Sequence, residues 1–318
     1  MRFSFLVFWI LLLIAIIVNT ISAQDIPPGP YFGQEPPGDI PRIFAEGIIS
    51  KKENYEGAGT FSPDGKEFAY TILEEGETWE KMIIHQVYLR RDENGKWNEA
   101  DIYKIIRNKR AFGVQFSPNG RILSFQVPES EETERNTDIW ICERDGEKWS
   151  EPSRLPYPIN TEWREAGHQF TNDETLYFIT NNRSGVRAYG EIYRSKLVNG
   201  KYSSVERLPF CTNYDEECLF IAPDESYIIF CSWRPTGYGM HDLYISFHEK
   251  DNTWTSPQIL GTNINTKANE TRPVVTPDGR YLLFSRGFED ESGFHSDFYW
   301  VDAGFIDDFK AKVKRSER

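Results

Sequence analysis

From residue 41 onward the chain alternates short apolar runs with polar turns. The strongest runs, at 67–72, 122–127, 175–180, 227–232 and 281–285, are five or six residues long. That length, bounded by Gly, Pro, Asn and Asp, predicts buried strands rather than helices. Before each stands a turn of one type: Pro63-Asp64-Gly65, Pro118-Asn119-Gly120, Asn172-Asp173-Glu174, Pro223-Asp224-Glu225 and Pro277-Asp278-Gly279. After each, beyond a variable loop, comes a strand with an acid or amide two residues before an aromatic. These pairs are Gln86/Tyr88, Asp138/Trp140, Glu191/Tyr193, Asp242/Tyr244 and Asp297/Tyr299. A hairpin marked by Trp97, Trp149, Tyr202 or Trp254 then leads to a short outer run ending at Ile105, Leu155, Leu208 or Leu260. The unit recurs about every fifty residues, the mark of a repeat architecture.

The fifth unit lacks its aromatic marker and outer run, and the missing piece, Arg42-Ile43-Phe44, precedes the first unit. A ring closed by its two ends explains this arrangement. The prediction is therefore an all-β protein: a five-bladed β-propeller of four-stranded antiparallel blades over 41–302, the last blade closed by the N-terminal strand. Residues 24–40 form a Pro/Gly-rich leader expected to run extended over the surface. Apolar residues at 305, 306 and 309 predict a short helix within the tail 303–318. Residues 1–23 read as a signal peptide, with Arg2, an apolar core at 7–18 and a cleavage site at Ile21-Ser22-Ala23. The expected location is periplasmic or extracellular, with no membrane span in the mature chain.

A net charge of −13 argues against electrostatic docking on nucleic acid or anionic lipid. Export permits disulfides, and Cys211 and Cys218 share one loop that a bridge would close. Cys142 and Cys231 fall in apolar runs and are expected to be small buried hydrophobes. There is no Cys-x-x-Cys, no His-Glu-x-x-His, no phosphate loop and no Gly-x-Ser-x-Gly elbow. No metal, cofactor or catalytic nucleophile is expected.

Phe61-Ser62-Pro63-Asp64-Gly65-Lys66 and Phe116-Ser117-Pro118-Asn119-Gly120-Arg121 resemble the signature turn of WD-like propeller repeats in TolB-type secreted bacterial proteins. The fullest match begins at Arg234-Pro235-Thr236-Gly237-Tyr238-Gly239 and runs through Asp242-Leu243-Tyr244, then Trp254, Leu260-Gly261, Asn265, and Glu270 to Gly279. The resemblance implies a propeller of the Gram-negative envelope. Six blades are usual in that family, against the five counted here.

Seven residues before each turn stand Glu56, Ala111, Glu165, Glu216 and Glu270. Four acids in five equivalent places, each opening an innermost strand, predict carboxylates converging on one mouth of the ring. They suit either a cation or amine site, or hydrogen bonds that lock neighbouring blades. His168 lies on an inner strand near Glu165. The loops on the same face carry Arg183, Trp233, Arg234, Tyr238 and Arg286, a set suited to stacking and forked hydrogen bonding. Those arginines have a second possible role, pairing with the nearby acids. The leading expectation is an exported, non-catalytic propeller that binds a glycan, peptide or envelope protein on this face. The alternative is a glycoside-processing hydrolase using Glu165, Glu216 and Glu270, since paired carboxylates perform acid/base hydrolysis.

Overall fold

A computed structural model describes residues 26–316 except 53, 75–82, 101, 108, 130–135, 182, 184–189 and 291–292. The predicted signal segment 1–23 lies outside the described residues. The chain is mostly β. Its strands are β1 (Arg42–Ile43), β2 (Tyr55–Phe61), β3 (Glu67–Glu74), β4 (Ile83–Arg91), β5 (Trp97–Ala100), β6 (Phe112–Phe116), β7 (Ile122–Pro128) and β8 (Thr137–Asp145). They continue with β9 (Lys148–Trp149), β10 (Ser153–Arg154), β11 (Glu165–Phe170), β12 (Leu176–Thr180), β13 (Glu191–Ser195), β14 (Leu197–Val198), β15 (Lys201–Tyr202) and β16 (Glu206–Arg207). The last are β17 (Asp215–Ile221), β18 (Tyr227–Trp233), β19 (Asp242–Phe247), β20 (Gln258–Ile259), β21 (Asn269–Val275), β22 (Tyr281–Asp290) and β23 (Gly293–Asp302). Two helices, α1 (Ile102–Ile106) and α2 (Phe305–Ser316), complete the elements used below.

Three sheets run β6-β7-β8-β10, β11-β12-β13-β16 and β17-β18-β19-β20, with β9 added to β8 in the first. A fourth, eight-stranded sheet runs β21-β22-β23-β2-β3-β4-β5, with β1 also on β23. Its two halves meet at one parallel bridge, Tyr55 to Ser296. Among the described residues no sheet closes on itself. The strands β2, β6, β11, β17 and β21 touch in succession, and β21 touches β2. β1 pairs antiparallel with β23, Ile43 opposite Tyr299, and Phe44 donates its N–H to the Phe298 carbonyl at 2.7 Å.

The turns repeat because one side-chain device repeats. Ser62, Ser117, Thr171 and Thr276 each donate a hydroxyl to the acid or amide two residues on, at Asp64, Asn119, Asp173 and Asp278. That residue's Oδ1 in turn accepts the N–H two further on. The corner needs a left-handed residue. Gly65, Gly120 and Gly279 supply it, and Glu174 and Glu225 adopt it at φ 62° and 59°.

The core is divided between adjacent sheets, as expected of units unable to bury both faces alone. One cluster joins Ala69 and Tyr88 to Val114 and Phe125, a second Ile139 and Leu155 to Phe178 and Tyr193, a third Tyr177 and Ile192 to Ile221 and Phe230. The largest runs from β18 and β19 through β22 and β23 to β2 and β3.

Three expectations differ from the structure. Ile105 lies on α1, because β5 already supplies the outer strand after β4. The leader does more than cover the surface: Phe32 is fully buried against Phe44, Phe68 and Trp97, and the Trp97 indole donates to the Gly29 carbonyl. The helix α2 packs Phe305, Ile306, Phe309 and Val313 on the same cluster. The third concerns the thiols, which are all free; Cys218 lies beside Cys231 rather than Cys211.

Candidate functional site

The inner strands share an irregularity. In each, the register against the next strand slips two or three residues after the Glu/Ala111 position. Such a bulge re-aims the side chain it carries. The bulged position reads Ala58, Gly113, Gly167, Cys218 and Arg272 from first unit to fifth. The last four have positive φ, at 54°, 49°, 43° and 51°. Gly113 and Gly167 belong there; a Cβ on Gly167 would collide with Ile179. Cys218 and Arg272 adopt the same left-handed backbone with full side chains, a cost of roughly 1–2 kcal/mol each.

These bulges surround a central cavity of about 490 Å³. Its wall includes Gln115, Gln126, Arg164, His168, Gln169, Asn181, Glu217, Cys218 and Arg272. Two arginines therefore face one space, in different states. Arg164 is neutralised by a forked ion pair with Glu217, at 2.7 and 3.1 Å. Arg272 has no carboxylate within ion-pair distance among the described residues; its guanidinium meets the Tyr55 hydroxyl and, at 3.4 Å, the Thr271 hydroxyl. His168 is 1% exposed, and neither ring nitrogen makes a well-formed hydrogen bond. Burial holds its pKa down to about 4, with the Ser124 backbone pulling weakly the other way, so the ring is neutral at pH 7. Buried polar groups are normally paired, so the ring nitrogens of His168 mark unused hydrogen-bonding capacity at the cavity wall, beside a guanidinium held by hydroxyls rather than by a carboxylate.

The predicted carboxylates sit elsewhere. Glu56, Glu165, Glu216 and Glu270 are all fully buried, and none lines the cavity. Glu165 accepts the Thr161 N–H and hydroxyl, and Glu216 and Glu270 accept the same pair from Thr212 and Thr266. Each then receives an arginine: Arg183 and Arg234 at 3.2 Å, Arg286 at 2.8 Å. Those guanidiniums lie over ring pairs, Phe178/Tyr193, Phe230/Tyr244 and Phe284/Tyr299. Burial still pushes Glu165 and Glu216 above the ordinary carboxylate range against these partners. Among the described residues Glu56 has no such bracket; it accepts from the Lys51 N–H at 3.2 Å and from the Asn54 side chain, and burial raises its pKa to about 8. The repeated Thr-Glu-Arg group ties three inner strands, β11, β17 and β21, to the segments entering them.

Of the predicted set, His168 alone reaches the cavity wall. Trp233 and Tyr238 are about half exposed, Trp233 opposite Asp215 at the start of β17. Trp163 and Tyr214, two residues before Glu165 and Glu216, are exposed on the same strand ends. Sequence reasoning missed Arg164, Arg272, Cys218 and the three glutamines. One signal was present: aligned on the turns, Cys218 and Arg272 stand where glycine stands in two other units.

Cys211 has a different task, which explains why it is not bridged. Asn160 and Asn265 each accept one N–H and donate to two carbonyls at the rim, fixing Ile139 with Leu155 and Leu243 with Leu260. Cys211 fills the equivalent slot, its sulfur against the N–H and carbonyl of Ile192. Cys218 lies seven residues on, at the cavity.

No protein-family model matches the chain, and no curated protein matches its sequence. Solved structures do resemble it. One is a glycoside hydrolase (10% identity, 87% of this chain and 92% of that one, TM-score 0.52). Another is a TolB-like protein of Agrobacterium tumefaciens (16% identity, 78% and 77% covered, TM-score 0.47). A third is the β-propeller domain of the Trilobed protease from Pyrococcus furiosus (14% identity, 79% and 69% covered, TM-score 0.38). At such identities the likeness concerns fold alone; the chain's own inner strands, touching in succession around one cavity, give it β-propeller type. Activities differ among these neighbours, as usual for propellers.

Proposed function

We propose that this protein is an exported five-bladed propeller, each blade four-stranded and the fifth completed by β1, that binds a small hydroxyl-rich anion such as a sugar acid in its central cavity. One observation carries the reading: Arg272 is held at a strained, glycine-type bulge, facing the cavity with no carboxylate partner among the described residues. Backbone strain of this kind persists at ligand sites. A guanidinium in a site shielded from bulk water attracts a carboxylate strongly, and its planar fork fits both oxygens. Gln115, Gln126, Gln169 and Asn181 suit hydroxyl groups, and neutral His168 both donates and accepts. About 490 Å³ lies within the usual range for a small-molecule pocket. The exposed aromatics Trp163, Tyr214, Trp233 and Tyr238 suit the mouth of a sugar site.

The hydrolase reading receives less support. Glu165, Glu216 and Glu270 are each bracketed by threonine and arginine, away from the cavity wall. A thermal-shift screen of matched pairs, each sugar acid beside its neutral sugar, tests the binding proposal. The acids are expected to raise Tm and the neutral sugars not. Equal shifts for both, or none, would overturn it.

A further inference from the structure

Cys218 and Cys231 belong to paired strands. Glu217 lies opposite Cys231, and the bulge that follows turns Cys218 back beside it. The two thiols lie within hydrogen-bonding reach of each other, and the single Cys231 S–H has two acceptors to choose between, Cys218 Sγ and the Glu217 carbonyl at 3.2 Å. Cys231 is fully buried, whereas Cys218 is partly exposed and lines the cavity. Arg272 and Arg164 line the same wall and place positive charge next to Cys218.

We infer that Cys218 and Cys231 are a redox-active pair: Cys218 attacks small disulfides entering the cavity, and Cys231 resolves the adduct as an internal disulfide. The Cys218 thiolate displaces one thiolate from the incoming disulfide and forms a mixed disulfide. Cys231 gives up its proton to the departing thiolate, and its sulfur attacks Cys218 Sγ. The second thiolate of the reagent leaves. Two protein thiols are thereby oxidised and one reagent disulfide is reduced to two thiols.

The division of labour follows from the surroundings. The hydrogen bond from Cys231, then Arg272 and Arg164, outweigh burial and bring the Cys218 thiol down to about 7. Burial pushes Cys142 up to about 11 and Cys211 up to about 12, so both remain protonated thiols. Burial and its neighbour Cys218 also raise Cys231, which suits a group that reacts second. Cys218 adopts a left-handed backbone, φ 43°, that glycine would take without steric cost.

The full folded chain, reduced and then exposed to oxidised glutathione at neutral pH, tests this by intact mass and non-reducing peptide mapping. The expected end product has lost two hydrogens and contains a Cys218–Cys231 peptide pair. Cys218 is expected to react at least about 100-fold faster than Cys142 or Cys211. Cys231→Ser should accumulate a stable glutathione adduct at Cys218, and Cys218→Ser should abolish rapid uptake. Should Cys231→Ser fail to fold, the wild-type time course decides alone. First reaction at Cys142 or Cys211, or a lasting Cys218 adduct in the wild type, would overturn the inference. Both readouts are independent of anion binding.

Discussion

Ile43 pairs with Tyr299 across the two ends of the chain, and the adjoining Phe44 hydrogen-bonds to Phe298. The contact is deeply packed: Phe44 is fully buried among Phe32, Phe61, Phe68 and Trp300. Head and tail are thereby held in one sheet, leaving β23 no bare edge to recruit another chain.

Phe44→Ala removes a large ring from this cluster and is expected to destabilise the fold by about 3–5 kcal/mol. Equilibrium denaturation in urea measures it. A loss below about 1 kcal/mol would mean the ends are held by other contacts.

In the Glu270–Arg286 pair the glutamate is fully buried and the arginine mostly so. Arg286→Met leaves a buried carboxylate with only its Thr266 bonds and should cost about 3–5 kcal/mol. Adding Glu270→Gln is expected to restore much of that loss. A double-mutant cycle with no coupling would contradict the bracket.

Two buried groups set opposite pH trends. Glu56 titrates near 8 in the fold against an ordinary 4.5, so the folded state holds the proton more tightly. Its contribution is complete below about pH 4.5 and is lost as pH rises toward 8. His168 titrates near 4 against an ordinary 6.5, so its contribution is present above about pH 6.5 and lost as pH falls toward 4. Glu56→Gln should flatten the fall in stability between about pH 6.5 and 8, which has a ceiling of about 1.4 kcal/mol per pH unit for one group. Urea midpoints across that range read it directly.

Arg272→Gly relieves a left-handed residue while adding chain entropy to the unfolded state. Stability is expected to stay within about 1 kcal/mol of wild type while anion binding disappears. Calorimetry of the same variant separates the two effects. The wild-type protein should also bind anions more weakly as pH rises through about 7, because the Cys218 thiolate then competes for Arg272. Cys218→Ser should remove that dependence.

The repeat itself was legible because each unit carries its own turn chemistry, from Ser62/Asp64 to Thr276/Asp278. The position of Glu165, Glu216 and Glu270 was legible for the same reason. Pairing of these glutamates with Arg183, Arg234 and Arg286 was open in the sequence as one of two roles for the arginines, and the ion pairs show it. What the sequence did not display is that each guanidinium also lies over a Phe/Tyr pair. The cavity residues were hidden by the bulge, which shifts the inside–outside alternation by one residue and exposes Cys218 and Arg272 to the axis. Cys211 misled for a related reason: proximity to Cys218 in sequence concealed its service in a slot held elsewhere by asparagine.

The most direct test of the central claim is anomalous diffraction from crystals soaked in selenate at neutral pH. An anion site is predicted within hydrogen-bonding distance of the Arg272 guanidinium, on the side of the cavity that His168 also lines. It should be absent from crystals of Arg272→Gly. Selenate found only at surface lysines and arginines, with Arg272 turned onto a protein carboxylate, would contradict the account.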